Sequence, residues 1–372
     1  MIYLDNGATS LHKPPEVSRA MLQAIQQCGN SGRGGHKAAM QAAETVYRCR
    51  ETASELFDCE PEQVVFTKNC TEGLNIAIDT LVKPGDRVVV TGFEHNAVMR
   101  PLYSKGAQII VAGRKLFDPA DTLTQFEKAL KSGVSAAIFT HCSNVFGYIL
   151  PVEKMASLCR CYTVPFAIDC AQSAGTVPLS LKRLGADFLA MPGHKGLLGP
   201  QGTGLLLCAR EGEPVLYGGT GTDSESHRMP QQLPERLEAG TLNVPGIAGL
   251  NAGLTWLKSK GIERLGGRER QVSKLCVSEL KKLGYRVFSG ECQGSTVSFV
   301  TDMDCEEMAQ KLGQQGIAVR AGLHCAPLAH ESAGTLQTGT VRVSFGIDAS
   351  AEQVTALTKA LAPIVGKKPE KA

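Results

Sequence analysis

A lysine and a carboxylate carry the first chemistry in this chain. Lys195 sits in a glycine-rich turn, Pro192-Gly193-His194-Lys195-Gly196-Leu197-Leu198-Gly199-Pro200-Gln201-Gly202-Thr203-Gly204, and Asp169 ends the apolar run Pro165-Phe166-Ala167-Ile168-Asp169 upstream. An amine fixed in such a turn can form a Schiff base with an aldehyde, and a carboxylate from a neighbouring strand can hold a pyridine nitrogen protonated. Those are the demands of pyridoxal phosphate (PLP) chemistry, so a cofactor is read before a substrate. A second His-Lys pair, His36-Lys37, follows Gly32-Arg33-Gly34-Gly35 and leads into a helix. It has no carboxylate strand, and Lys37 reads as a solvated residue.

Other residues of the right type follow strands. Gln172, three residues after Asp169, could donate to a phenolic oxygen; Asp169 alone could equally be a helix N-cap. His95, in Glu94-His95-Asn96-Ala97, can lie flat on a pyridine ring and relay protons, or be bonded within the core. Thr71 can offer a hydroxyl and backbone N–H groups to a phosphate, or simply cap a helix. Asn144, in Ser143-Asn144-Val145-Phe146-Gly147, could be a turn residue. Cys325 has His324 beside it and Arg320 nearby, a positive setting that can lower a thiol pKa. Most other cysteines fall in apolar or helical settings and read as small core residues. Arg342 is a charge inside a strand pattern, which calls for a carboxylate. There is no P-loop, Gly218-Gly219-Thr220-Gly221-Thr222 is a plain loop, Cys159-Arg160-Cys161 is too close for a zinc pair, and no four-ligand metal set is found.

The elements that must position these groups are short apolar strands between helical patterns. Strands are predicted at 63–67, 87–91, 107–111, 135–140, 165–169, 187–191 and 204–208, with a helix at 71–81. Continuous apolar strands between helices indicate a mostly parallel sheet covered on both faces, whose ligands collect beyond the carboxyl ends of the strands. After residue 245 the pattern becomes α+β: helices at 245–260, 262–283, 305–315 and 351–365, strands at 295–300 and 340–344, and a frayed tail at 367–372.

The composition bounds the class. The 372 residues are 43% hydrophobic and 20% charged, with a net charge of +3. That length favours two domains, and the weak charge gives no reason to expect nucleic acid or a membrane surface. No apolar run reaches a membrane span, and the opening Ile2-Tyr3-Leu4-Asp5 does not read as a signal peptide. The 13 scattered cysteines, without a C-x-x-C pair, read as reduced thiols in the cytoplasm.

Six separated motifs, in order, resemble those of class V aminotransferase-fold PLP enzymes of the cysteine desulfurase and selenocysteine lyase family. Thr67-Lys68-Asn69-Cys70-Thr71-Glu72-Gly73-Leu74-Asn75 resembles the phosphate turn and Glu94-His95-Asn96-Ala97 the ring-stacking motif. Thr140-His141-Cys142-Ser143-Asn144-Val145-Phe146-Gly147 resembles the loop whose asparagine faces cofactor and substrate, and Asp169-Cys170-Ala171-Gln172 with Gly193-His194-Lys195 the ring site. Glu238-Ala239-Gly240-Thr241 is similar to a segment that reaches a phosphate across a dimer interface. Arg320-Ala321-Gly322-Leu323-His324-Cys325-Ala326-Pro327 is like the group with a short, ordered catalytic-cysteine loop.

The resemblance implies a fold-type-I PLP-transferase, with a large domain at 16–249 around a seven-stranded, mostly parallel sheet. Residues 1–15 and 250–372 would form the smaller α+β domain. It implies a homodimer acting on L-cysteine or L-selenocysteine and passing sulfur to an acceptor protein or small thiol. Catalysis would rest on Lys195, Cys325 and His95. Cys70, Thr71, His95, Asn144, Asp169, Gln172, His194, Lys195 and Thr241 would hold the cofactor, and Gly7, Ala8, Asn144, Arg320 and Arg342 the substrate. Selenocysteine lysis, β-elimination or sulfinate removal on the same fold, and a catalytically silent sulfur-relay scaffold, are the alternatives. Three positions depart from the family's habit. Pro192 replaces a serine, Cys70 a threonine, and Leu323 a second histidine. The extra N-terminal helix of longer members is missing.

Overall fold

The computed structural model describes residues 1–32 and 34–363. In chain order the first elements are β1 (Ile2–Tyr3), α1 (Pro15–Gln27), α2 (Lys37–Phe57), β2 (Val64–Thr67), α3 (Cys70–Leu81), β3 (Arg87–Thr91), α4 (Asn96–Ser104) and β4 (Gln108–Ala112). There follow α5 (Pro119–Lys131), β5 (Ala136–Thr140), α6 (Val152–Cys161), β6 (Phe166–Asp169), α7 (Leu181–Leu184), β7 (Phe188–Pro192), β8 (Gly204–Cys208) and α8 (Val244–Lys260). The remainder is α9 (Ile262–Lys282), β9 (Arg286–Phe288), β10 (Thr296–Val300), α10 (Cys305–Gln314), β11 (Ile317–Ala318), β12 (Arg320–Gly322), α11 (Pro327–Ala333), β13 (Thr340–Ser344) and α12 (Ala351–Leu361).

Seven strands form one sheet in the order β2-β8-β7-β6-β5-β3-β4. The inner strands β5, β6, β7 and β8 are buried throughout, because helices cover both faces. All neighbouring pairs are parallel except those of β8, which runs antiparallel to β7 and β2. The glycine-rich Lys195 turn is the connection between β7 and β8. Glycine is needed there for space: a Cβ at Gly193 would meet Thr203 Oγ1 at 2.1 Å, and one at Gly196 would meet the Ala174 carbonyl oxygen at 2.2 Å. The turn is thereby pressed against the segment that follows Asp169.

The C-terminal part builds a four-stranded antiparallel sheet, β12-β13-β10-β9, with α9, α10 and α12 packed around its own apolar core. The N-terminal segment joins this part: β1 pairs with β11, and Asp5 bridges Ser344. The boundary expected at 249/250 falls inside α8, a continuous helix packed on α1 and α2. The short strands β9 and β12 were not predicted, and β4 is displaced by one residue from 107–111. The last predicted helix ends at Leu361 within the described residues, and the frayed tail expected at 367–372 lies outside them. Among the described residues no helix is long and apolar enough to cross a membrane.

Candidate active site

Eight of the nine residues expected to hold a cofactor line one cavity: Cys70, Thr71, His95, Asn144, Asp169, Gln172, His194 and Lys195. It opens beyond the carboxyl ends of β5, β6 and β7, the place the topology predicts. Asp169 is the last residue of β6, paired in register with Thr140 and Ala190. It is 3% exposed, and its Oδ1 accepts from the Ala171 N–H at 2.9 Å and the Cys70 thiol at 3.5 Å. Burial lowers the Lys195 pKa, while the Asp169 carboxylate acts in the opposite direction. Burial raises the Cys70 thiol well above its usual range, and Asp169 adds to the effect, so Cys70 stays a neutral thiol.

Thr71 and Cys70 stand in the first turn of α3, whose N-cap is Asn69: the Asn69 side chain accepts from the Glu72 N–H at 2.9 Å. The free N–H groups of that turn and the helix dipole favour an anion at the cavity wall. His95 caps α4, its Nδ1 accepting from the Ala97 N–H at 3.0 Å. Neutral His95 therefore carries its proton on Nε2, and burial lowers its pKa despite the opposing pull of Asp169. His194 contacts Thr9 at 3.1 Å through Nδ1. Burial and the adjacent Lys195 push its pKa down to about 4.

Asn144 joins this cavity to the cysteine loop. Its Nδ2 donates to the His324 carbonyl at 2.8 Å, and its own carbonyl accepts from Arg342 Nη1 at 3.0 Å. The Cys325 carbonyl accepts from the Asn96 N–H at 2.7 Å, next to His95. Four residues, 323–326, connect β12 to α11, so the loop is short. His324 and Cys325 both have left-handed backbone, with φ of 53° and 55°, a conformation uncommon for residues with a Cβ. Of the 13 cysteines only Cys161 and Cys325 are exposed. The expected positive setting is corrected in one respect. Both His324 ring nitrogens are buried without a partner, and burial pushes its pKa down to about 2, so His324 is neutral beside Cys325.

Arg342, on β13, is 2% exposed and meets the carboxylate its strand position called for: Nη2 donates to Asp5 Oδ1 at 2.7 Å. Arg320 donates from Nε to the other oxygen, Asp5 Oδ2, at 3.0 Å. Gly7 lies against this arginine pair, since a Cβ there would sit 3.3 Å from Arg342 Cζ. The Gly7 carbonyl accepts from Gln172 Nε2 at 2.9 Å, which occupies one donor of the glutamine expected to face a phenolic oxygen. Ala8 turns back through its N–H to the Asp5 carbonyl at 3.0 Å.

Thr241 is not brought to this cavity. It lines a separate groove of about 830 Å³ with Gly219, Thr220, Gly221 and Thr222, floored by the buried Arg50–Glu238 ion pair. Sequence reading passed over Asp5 and Asn69. Asn69 had a legible signal, an Asn three residues before Glu72 at a helix start. Glu94 is fully buried and held by the Thr91 and Thr140 N–H groups at 3.1 Å each; burial pushes it up to about 8.

Nearly the whole chain is similar to known proteins. A probable cysteine desulfurase of Methanothermobacter thermautotrophicus is 32% identical, the match covering 98% of this chain and 95% of that one. The apo structure of a cysteine desulfurase from Thermococcus onnurineus NA1 superposes with a TM-score of 0.89 at 32% identity, covering 98% of this chain and 94% of that one. The cysteine desulfurase CsdA (S-sulfonic acid) of Escherichia coli gives a TM-score of 0.83 at 28% identity, covering 97% and 94%. The model of the aminotransferase class-V family matches residues 2–357. By fold and by near-full-length similarity, the chain belongs to the aminotransferase class-V family.

Proposed function

We propose that this chain is a PLP-dependent cysteine desulfurase that moves sulfur from L-cysteine onto Cys325 and releases L-alanine. The observation that carries the reading is Asn144. It lines the Lys195–Asp169 cavity, holds the cysteine loop at the His324 carbonyl, and takes a hydrogen bond from Arg342. Lysine, reactive thiol and carboxylate clamp converge on one residue, as a reaction joining a cofactor, an amino acid and a thiol requires.

The residues present fit the cofactor. Lys195 is an amine with a lowered pKa, Asp169 is a buried carboxylate, the first turn of α3 offers N–H groups for a phosphate, and Asn144 Oδ1 is buried without a partner. When bound, PLP supplies an aldehyde for Lys195 and a ring that accepts electron density from the substrate Cα. With the group bound, Asp169 would hold a proton on the ring nitrogen, Lys195 would move the Cα proton, and Thr71 would help hold the phosphate. Pro192 has neither hydroxyl nor N–H, so the donors of α3 carry more of that contact. His95, with its proton on Nε2, serves proton transfer near the substrate sulfur. Arg342 clamps the carboxylate with a planar fork that lysine cannot copy. The Cys325 thiolate attacks the substrate sulfur: the S–S bond forms, the carbon–sulfur bond breaks, and Cβ gains the proton that completes alanine.

The short 323–326 connection supports the group with an ordered cysteine loop. The distance of Thr241 from Lys195 is accounted for by a homodimer in which Thr241 serves the partner's phosphate site. Cys325→Ser tests the reading. It should keep the cofactor spectrum and still bind cysteine, yet accumulate no persulfide and form little alanine. Mass spectrometry of the wild type after one turnover should find the added sulfur on the Cys325 peptide. Sulfur on Cys142 or Cys170, or normal turnover by Cys325→Ser, would overturn the assignment in favour of β-elimination.

A further inference from the structure

Arg320 and Arg342 are direct register partners on the antiparallel strands β12 and β13. Like charges placed opposite one another in a sheet repel. A single carboxylate, Asp5, separates them, with one oxygen on each guanidinium at 3.0 and 2.7 Å. Among the described residues no other acid pairs with either arginine. The cluster therefore holds two cations over one anion. Asp5 is itself fixed: Leu4 and Asn6 on either side bond the backbone of Ala318 and Ser344, and the Asp5 carbonyl receives the Ala8 N–H. On Arg342, Asp5 takes Nη2 and the Asn144 carbonyl takes Nη1, while Nε remains buried without a partner.

We propose that Asp5 is a positioning residue for recognition of the substrate carboxylate. It orients the Arg342 guanidinium, shields it from Arg320, and leaves one unbalanced positive charge and one buried N–H, at Nε, without a partner. That remainder matches an amino acid with one carboxylate near its amine, and it does not match an amine without one. The proposal rests on the reading of Arg342 as the carboxylate clamp. An asparagine at position 5 could still accept from Arg342, but its NH₂ group would then face the donating Nε of Arg320, and the two guanidinium groups would lose their shared counter-ion.

The test is a binding titration of the holoenzyme with two ligands that differ only in the carboxylate, L-alanine and ethylamine, read by calorimetry and by cofactor absorbance. The wild type should prefer alanine. Asp5→Asn should raise the alanine Kd about ten- to a hundredfold, the range of a charge-assisted hydrogen bond, and leave ethylamine unchanged. Asp5→Glu, which keeps the charge, should recover most of the loss. Equal shifts for both ligands would mark a general structural role, and unchanged or tighter alanine binding would mark Asp5 as a mere competitor; each result overturns the proposal. Arg342→Gln separates the two layers. If it leaves alanine binding intact, the clamp reading itself fails. If it abolishes the preference while Asp5→Asn keeps it, the clamp stands and the role of Asp5 falls. Should Asp5→Asn not fold, the half-exposed Arg320→Gln replaces it. With Arg320 gone, the full Asp5 charge falls on Arg342, and the alanine Kd should rise about tenfold with ethylamine unmoved; an intact preference there overturns the proposal.

Discussion

The floor of the candidate site and its rim are built on opposite principles. The floor, around Asp169 and the Lys195 turn, is buried, tied to strand ends, and closed by glycines that leave no room for a methyl group. The rim, around His324 and Cys325, is a four-residue connection carrying an exposed thiol on left-handed backbone. Cofactor chemistry needs fixed geometry in a dry place, and packing supplies it. Delivery of sulfur needs a group that another molecule can touch, and packing would prevent it. The two regions are joined by the Asn144 and Asn96 hydrogen bonds and by Ala326, which shares a buried apolar core with Leu197 and Leu198 of the Lys195 turn.

The largest expected effect is at the floor. Lys195→Ala should abolish the cofactor absorbance together with alanine formation, whereas Cys325→Ser at the rim should lose only the second. Borohydride reduction should fix the cofactor on Lys195 in the wild type. A pyridoxyl group found on Lys37 would break the comparison at its base.

Stability should divide in the same way. Gly196→Ala places a methyl group 2.2 Å from the Ala174 carbonyl, a clash with backbone that cannot rotate aside. Overpacking of this kind costs about 1–3 kcal/mol, occasionally more, and the melting temperature should fall by several degrees. Cys325→Ser, exposed and outside every core cluster, should melt with the wild type. Equal losses in the two variants would show that the rim is packed as tightly as the floor.

The smallest effect concerns pH. Glu94 lies beneath the floor with its carboxyl raised to about 8, so the fold holds a proton there that the unfolded chain releases near the ordinary glutamate pKa. Its contribution to stability is fully present below that ordinary value and is lost as pH rises through about 8. Glu269, also raised to about 8 by burial, acts with the same sign. The histidines His141, His194 and His330, lowered by burial to about 4, act with the opposite sign in the acid range. The check is therefore a difference: relative to Glu94→Gln, the wild type should lose melting temperature as pH rises from the ordinary glutamate range through about 8. An identical slope in the variant would remove Glu94 from the account.

Much of the floor was legible because it is local. The apolar strand ending in Asp169, the glycines around Lys195 and the helix start at Thr71 are each readable within a short stretch of chain. The rim was less so, because its properties arise from packing. His324 looked like a positive neighbour for the thiol, and only burial makes it neutral. Asp5 had no local signal, since its partners Arg320 and Arg342 lie at the far end of the chain. Strand β9 is three residues long, too short for periodicity to register. Thr241 was legible as a motif, but its place in a separate groove follows from the path of the chain after β8.

The backbone carbonyls of His324 and Cys325 are both anchored, one by Asn144 and the other by the Asn96 N–H. A cysteine mounted in this manner has only the torsions of its own side chain with which to reach outward. Under the proposed chemistry, cargo on Cys325 is presented at arm's length from the surface and no further, so the acceptor must bring its own nucleophile down to the protein. Choice among acceptors then becomes a question of contour. A molecule with a protruding thiol can collect the sulfur, and one whose thiol is recessed cannot, whatever its reactivity.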